Sequence, residues 1–249
     1  LAGAIFIAPF FLFSATAGQL ADRYAKAEMV RTIKLLEIGI MALAAIGFFL
    51  EDQIMLLGVL FLLGTQSAFF GPVKFGILPE LLEEDELIGG NALIEAATFL
   101  VILIGTVLGS LIVLRANGMV AISILGMGIA VMGWLSARKI PDQPAASPDL
   151  KINYNVPAET FRMIAVAYKD LPIFRSIIGI SWFWLVGSVF IILFPVLSRD
   201  VLSGNEQIVS MLLAIFAIGI GIGSLVCDKL LGGKVRDYYV PVGALGITM

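Results

Sequence analysis

Glu37 and Glu95 are the carboxylates most able to do chemistry here, because each lies in or at the edge of a long apolar run. An ionisable group in lipid costs on the order of 3 kcal/mol or more unless it faces a partner or an aqueous cavity, which makes each a functional candidate by default. Glu37 follows Lys34 by three residues, so the two share a helix face; the carboxylate either closes an internal ion pair or meets a polar substrate. Asn91 and Glu95 are one turn apart and project together, either as a hydrogen-bonded structural pair or as polar contacts for a substrate. Lys74 follows Gly71-Pro72. Proline removes a backbone donor and clashes with the preceding turn, which predicts an interrupted helix there. The lysine then either meets a lipid phosphate as a point charge or snorkels to the interface.

Other chemistries are excluded by what is missing. There is no histidine, hence no imidazole base, proton shuttle or imidazole metal ligand. Cys227 is the one cysteine, which rules out an internal disulfide and a thiolate cluster. No catalytic residue, metal site or cofactor is expected, and the chain reads as a non-enzyme.

The elements that position these residues follow from composition. Hydrophobic residues make up 59% and charged residues 14%, and the mean hydropathy is +1.01, against roughly 45–50% apolar and 25% charged in soluble domains. Nothing suggests a nucleic-acid partner. A membrane-crossing helix needs about 20 mostly apolar residues, and seven stretches supply them: Leu1–Ala21, Val30–Leu50, Ile54–Val73, Ala96–Leu114, Ala116–Ala137, Ser176–Ser198 and Gln207–Cys227. Tyr238–Met249 begins an eighth. Both ends fall inside apolar runs and read as cut. The fold class expected is an all-α membrane protein of seven complete transmembrane helices and a truncated eighth.

Orientation follows from the cations, which gather on the inner side. Fourteen of the 16 Lys and Arg fall in the odd-numbered connections, and only Arg115 and Arg199 lie opposite. The odd-numbered connections are therefore predicted to be cytoplasmic. Residues 138–175 form the one long polar connection, with Pro141, Pro144, Pro148 and Pro157, and divide the chain into bundles at 1–137 and 176–249. Within it Phe161, Ile164, Ala165 and Tyr168 recur at helical spacing beside Arg162 and Lys169. That pattern fits an amphipathic helix on the inner membrane surface or a solvated tether. Gly105 and Gly109, like Gly219 and Gly223, are spaced for close helix packing.

Two connections resemble each other: Gly18-Gln19-Leu20-Ala21-Asp22-Arg23 after the first span and Gly223-Ser224-Leu225-Val226-Cys227-Asp228-Lys229 after the seventh. Their aspartates are about 205 residues apart, the separation a duplicated six-helix bundle gives. With these loops the sequence resembles the major facilitator superfamily. The resemblance implies that the chain covers helices 2–6 (1–137), the central loop (138–175) and helices 7–9, the last truncated (176–249), without the first helix or the last several. It also implies that Gly18, Asp22, Arg23 and Asp228 act in conformational gating. The second copy carries one extra residue between Gly223 and Asp228.

The blocks Gly71-Pro72-Val73-Lys74-Phe75-Gly76-Ile77-Leu78-Pro79-Glu80-Leu81 and Gly90-Asn91-Ala92-Leu93-Ile94-Glu95-Ala96 are similar to stretches of the bacterial lysophospholipid transporters, including versions fused to an acyltransferase and acyl-ACP synthetase. That similarity implies flipping of lysophosphatidylethanolamine-type lipids across the inner membrane by alternating access. Lys74, Asn91, Glu95 and Glu37 are the residues expected to meet such a substrate, and the similarity implies membrane lipids and a fused or separate acyltransferase as partners. A carrier of another solute or drug is the alternative within transport. The membrane part of an acyltransferase fusion is the alternative from another class.

Overall fold

A single apolar segment can satisfy its own backbone in lipid only as a helix, and every regular element among the described residues is helical. The computed structural model describes residues 1–113, 115–204, 206–232 and 239–248; the side chains at 110, 206, 207, 228, 242 and 246–248 lie outside that set. In chain order the helices are α1 (Ala2–Arg23), α2 (Lys26–Phe49), α3 (Gln53–Gly76), α4 (Leu78–Leu81), α5 (Leu87–Val113), α6 (Gly118–Ala137), α7 (Val156–Lys169) and α8 (Leu171–Val196). A π-helical turn (Leu197–Val201), α9 (Glu206–Leu231) and α10 (Val240–Thr248) complete the order. Seven of these are long and apolar enough to cross a membrane, which makes the chain a multi-pass membrane protein. The helices overrun the apolar stretches, α2 starting at Lys26, α5 at Leu87 and α8 at Leu171, because extending a formed helix into the polar zone adds one hydrogen bond per residue.

Local chemistry sets the ends. Asp52 caps α3 by accepting from the Ile54 and Met55 backbone N–H groups at 2.9 and 3.1 Å. Just before it, Glu51 takes φ 53°, and the Asp52 N–H reaches back to the Gly47 carbonyl at 3.1 Å. Asn155 caps α7 through the Ala158 N–H at 3.1 Å. Asn117, at φ 64°, turns the chain from α5 into α6. The expected break at Gly71-Pro72 does not occur: α3 continues through Pro72 to Gly76. The proline lies in the second-last turn, where one lost donor leaves most of the ladder intact, and membrane helices tolerate such losses.

The chain divides into two compact units. In the first, Leu1–Ile77 with Leu108–Phe190, α3 packs on α1 and α2, and α2 packs on α6. Its core joins Ala21, Val30, Ile33, Val73 and Ala137. Small residues set the spacing: a Cβ on Gly64 would stand 2.2 Å from the Phe6 carbonyl oxygen of α1. By contrast, a Cβ on Gly105, Gly109, Gly219 or Gly223 meets nothing within 4 Å, so the close helix approach runs through Gly64 instead. In the second unit, Leu78–Val107 with Ile191–Met249, Phe194 of α8 meets Phe216 of α9 edge-on with centroids 5.9 Å apart. Gly90 of α5 leaves no room for a Cβ beside Leu82, which would lie 2.4 Å away. Large apolar side chains line the outside throughout, and no residue of α8 is buried. In water that surface is untenable; in hydrocarbon it is the solvated face.

Candidate functional site

The first unit holds a polar cluster within its membrane-spanning helices. Glu37 accepts from Lys34 Nζ at 2.7 Å and from Gln66 Nε2 of α3 at 3.0 Å, both on Oε2. The two charged side chains retain only 22% and 16% exposure. The Lys34 ammonium also stands 4.9 Å from the Phe70 ring centroid, a favourable cation–π position. Gly133 of α6 lies against the lysine stem, a Cβ there falling 3.5 Å from its Cδ, an ordinary van der Waals contact. The internal pair expected for Glu37 is therefore present, and an amide from a second helix joins it.

Gln66 also lines a groove of about 670 Å³ between α2 and α3. Leu36, Ile40, Leu43, Leu62 and Phe69 give it apolar walls, while Tyr24, Glu28 and Thr32 stand at the end nearest the basic residues. Lys34 and Met41, the α2 residues beside Gly133 and Gly126 of α6, project from the opposite side of α2 at 100° per residue. The groove thus lies on the face of α2 away from α6.

A second polar set fastens the long connection to the basic end of this unit. Buried Gln19 of α1 donates to the Asn153 carbonyl at 3.1 Å and accepts from the Asn153 N–H at 2.7 Å. The Asn153 side chain donates to Glu159 Oε2 at 3.1 Å, and Arg162 Nε lies 3.0 Å from both Glu159 oxygens. The Arg162 hydrogen bond is the main reason the Glu159 carboxyl stays below its ordinary value; burial opposes the shift and Asn153 assists it. The same hydrogen bond raises the Arg162 guanidinium. Arg31 donates to the Ile140 carbonyl and pairs with Asp142, both at 2.7 Å.

These contacts place the expected gating residues. A Cβ on Gly18 would sit 3.5 Å from Met163 of α7, and the Asp22 carbonyl accepts from the Ser147 N–H at 2.8 Å. The Asp22 carboxylate is exposed, and Arg23 lies 5.7 Å from the Tyr24 ring centroid. The Asp228 side chain falls outside the described residues. The α7 helix forms over Val156–Lys169 and meets α1 where Met163 nears Gly18, while buried Glu159 ties to Asn153, the partner of Gln19, leaving Phe161 and Tyr168 exposed.

The expected substrate residues are divided between the two units. Glu37 and Lys74 belong to the first unit, Asn91 and Glu95 to the second. Lys74 lies in the last turn of α3, with its ammonium 4.5 Å from the Phe75 ring centroid. Asn91 and Glu95 are not hydrogen-bonded to each other: the Asn91 amide turns back to the Leu87 carbonyl at 2.8 Å. A local helical acceptor wins over a carboxylate one turn away. Gln19 and Gln66 organise the two polar sets, and neither carries a charge that would mark it among the apolar residues. Their signal is an amide side chain inside an otherwise apolar run.

Comparison with known proteins agrees with this architecture. The chain is 28% identical over 249 residues to the lysophospholipid transporter LplT of Enterobacter sp. (strain 638), covering 97% of this chain and 59% of that protein. The Escherichia fergusonii protein of the same name is 29% identical over 246 residues, with the same coverage. The Salmonella typhimurium protein of that name is 28% identical over 246 residues. The chain thus spans 59% of the length of the curated relatives it matches. No solved structure matches it. The model of the Major Facilitator Superfamily matches residues 1–249, and with seven helices among the described residues long and apolar enough to cross a membrane the chain belongs to that superfamily.

Proposed function

We propose that the chain is part of a transporter that moves lysophospholipids, of the lysophosphatidylethanolamine type, across the bacterial inner membrane by alternating access. The carrying observation is its similarity, over 97% of its length, to proteins named lysophospholipid transporter. An amphiphile with one chain keeps its tail in lipid or an apolar cleft while its head group meets polar side chains. Lys74 is proposed for the phosphate, and Asn91 and Glu95 for the rest of the head group. Glu37 acts with Lys34 and Gln66 as an intramembrane polar station. Bundles at 1–137 and 176–249, joined by 138–175, rock about the site. Gly18, Asp22, Arg23 and Asp228 serve that motion, with the basic connections facing the cytoplasm. The activity is transport rather than catalysis, and an acyltransferase, fused or separate, reacylates the delivered lysolipid.

The test is flipping of labelled lysophosphatidylethanolamine by the full-length protein in vesicles. Lys74→Ala, Asn91→Ala and Glu95→Gln are expected to slow it. No flipping by the unaltered protein, or unchanged flipping in all three variants, would overturn respectively the substrate or the site.

A further inference from the structure

We propose that the groove between α2 and α3 is a lateral binding site for a single-chain zwitterionic phospholipid, lined by none of Lys74, Asn91, Glu95 and Glu37 and sharing only Gln66 with the Glu37 cluster. This rests on the transport reading for the identity of the lipid, and it adds where that lipid leaves or enters the bilayer.

The groove's dimensions fit one acyl chain. From Glu28 to Leu43 the α2 wall advances 15 residues, about 22 Å at 1.5 Å each. A chain from one leaflet needs about half of the roughly 30 Å hydrocarbon core. The volume of about 670 Å³ falls within the roughly 300–1,000 Å³ of small-ligand sites. Gly39 opens the wall midway, since a Cβ there would meet nothing within 4 Å.

The mouth supplies the commitment to a zwitterion. Glu28 is exposed and has no hydrogen-bond or ion-pair partner among the described residues. Tyr24, beside it in the lining, carries the Arg23 guanidinium 5.7 Å from its ring centroid. One anion and one cation at the same end of an apolar furrow complement an ammonium and a phosphate on the same head group. With the basic end in the cytoplasm, this mouth opens at the inner leaflet, the release side of inward flipping.

The test is photo-crosslinking of the chain in nanodiscs of diacyl phospholipid, using lysophosphatidylethanolamine with a diazirine near the end of its acyl chain. Adducts are expected on Leu36, Ile40, Leu43 and Leu62. Gly39→Trp fills the groove without displacing backbone and is expected to cut the yield about tenfold; Leu43→Trp repeats the block at the far end. Glu28→Gln is expected to lower the yield of the ethanolamine probe and leave that of a diazirine fatty acid unchanged. The proposal falls if adducts spread over all spans regardless of Gly39→Trp, or if a diacyl diazirine probe labels the same residues equally well. Groove labelling without flipping by the full-length protein would remove the transport reading alone. Flipping with adducts elsewhere would remove the groove alone.

Discussion

The Gln19 side chain and the Asn153 backbone exchange two hydrogen bonds, of 3.1 and 2.7 Å, between residues 134 apart in sequence. The amide of Gln19 thereby stands in for a strand partner, satisfying both main-chain groups of a loop residue at the end of α1. Each such bond is worth about 0.5–1.5 kcal/mol net, and a stranded buried group costs about 1–3 kcal/mol. Gln19→Ala is therefore expected to release the connection around Lys151. Trypsin cleavage there, followed in detergent, should accelerate severalfold while the spanning helices stay protected.

Removing one member of the Lys34–Glu37–Gln66 cluster should cost more than removing the charge pair together. Lys34→Met leaves Glu37 with only the Gln66 amide inside an apolar helix face. Breaking a fully buried pair costs about 3–5 kcal/mol, and the residual exposure of both side chains puts the expected loss below that range. Lys34→Met combined with Glu37→Gln is expected to recover most of it. Thermal unfolding in detergent of the two single variants and the double variant measures the difference.

The Glu159 carboxyl is held below its ordinary 4.5, chiefly by the Arg162 hydrogen bond. A depressed carboxylate contributes stability that is present above that ordinary value and is lost as pH falls through the lower folded-state value. Acidification below about 4.5 is thus expected to loosen α7 and the loop at Asn153. Arg162→Leu removes the lowering partner and moves that transition to higher pH. Hydrogen exchange over residues 147–159, corrected for its intrinsic pH dependence, reports both.

Gly64 and Gly109 give opposite forecasts for the same substitution. Alanine at Gly64 puts a methyl 2.2 Å from the Phe6 carbonyl oxygen, whereas at Gly109 it meets nothing within 4 Å. Overpacking typically costs about 1–3 kcal/mol, while alanine in an open helix position gains about 0.5–1 kcal/mol over glycine. The melting temperature should fall for Gly64→Ala and hold or rise for Gly109→Ala.

The spans were legible in the sequence because a lipid-crossing helix leaves a signal in every residue it contains; each of the seven apolar stretches from Leu1 to Cys227 has a long helix over most of its length. The Lys34–Glu37 pair was legible too, since both partners share one helix and three-residue spacing fixes the meeting. Contacts between helices were not. Nothing in the run Thr65-Gln66-Ser67 says which neighbour its amide will face, and Gln19 meets Asn153 only because the connection folds back under α1. The pairing expected for Asn91 and Glu95 failed on a competition that spacing cannot reveal, a backbone carbonyl one turn earlier. Glycine spacing likewise marks where close approach is allowed, not where it happens, as Gly64 against Gly105 shows.

Arg138–Asn155 would reach roughly 60 Å if drawn out at 3.3–3.6 Å per residue. Pinned at Ile140, Asp142, Ser147 and Asn153, it has almost no slack to give. Only Asp170 separates α7 from α8. Any swing of α8 against α1 would therefore be concentrated at that single residue, with the long, proline-rich segment contributing little to it.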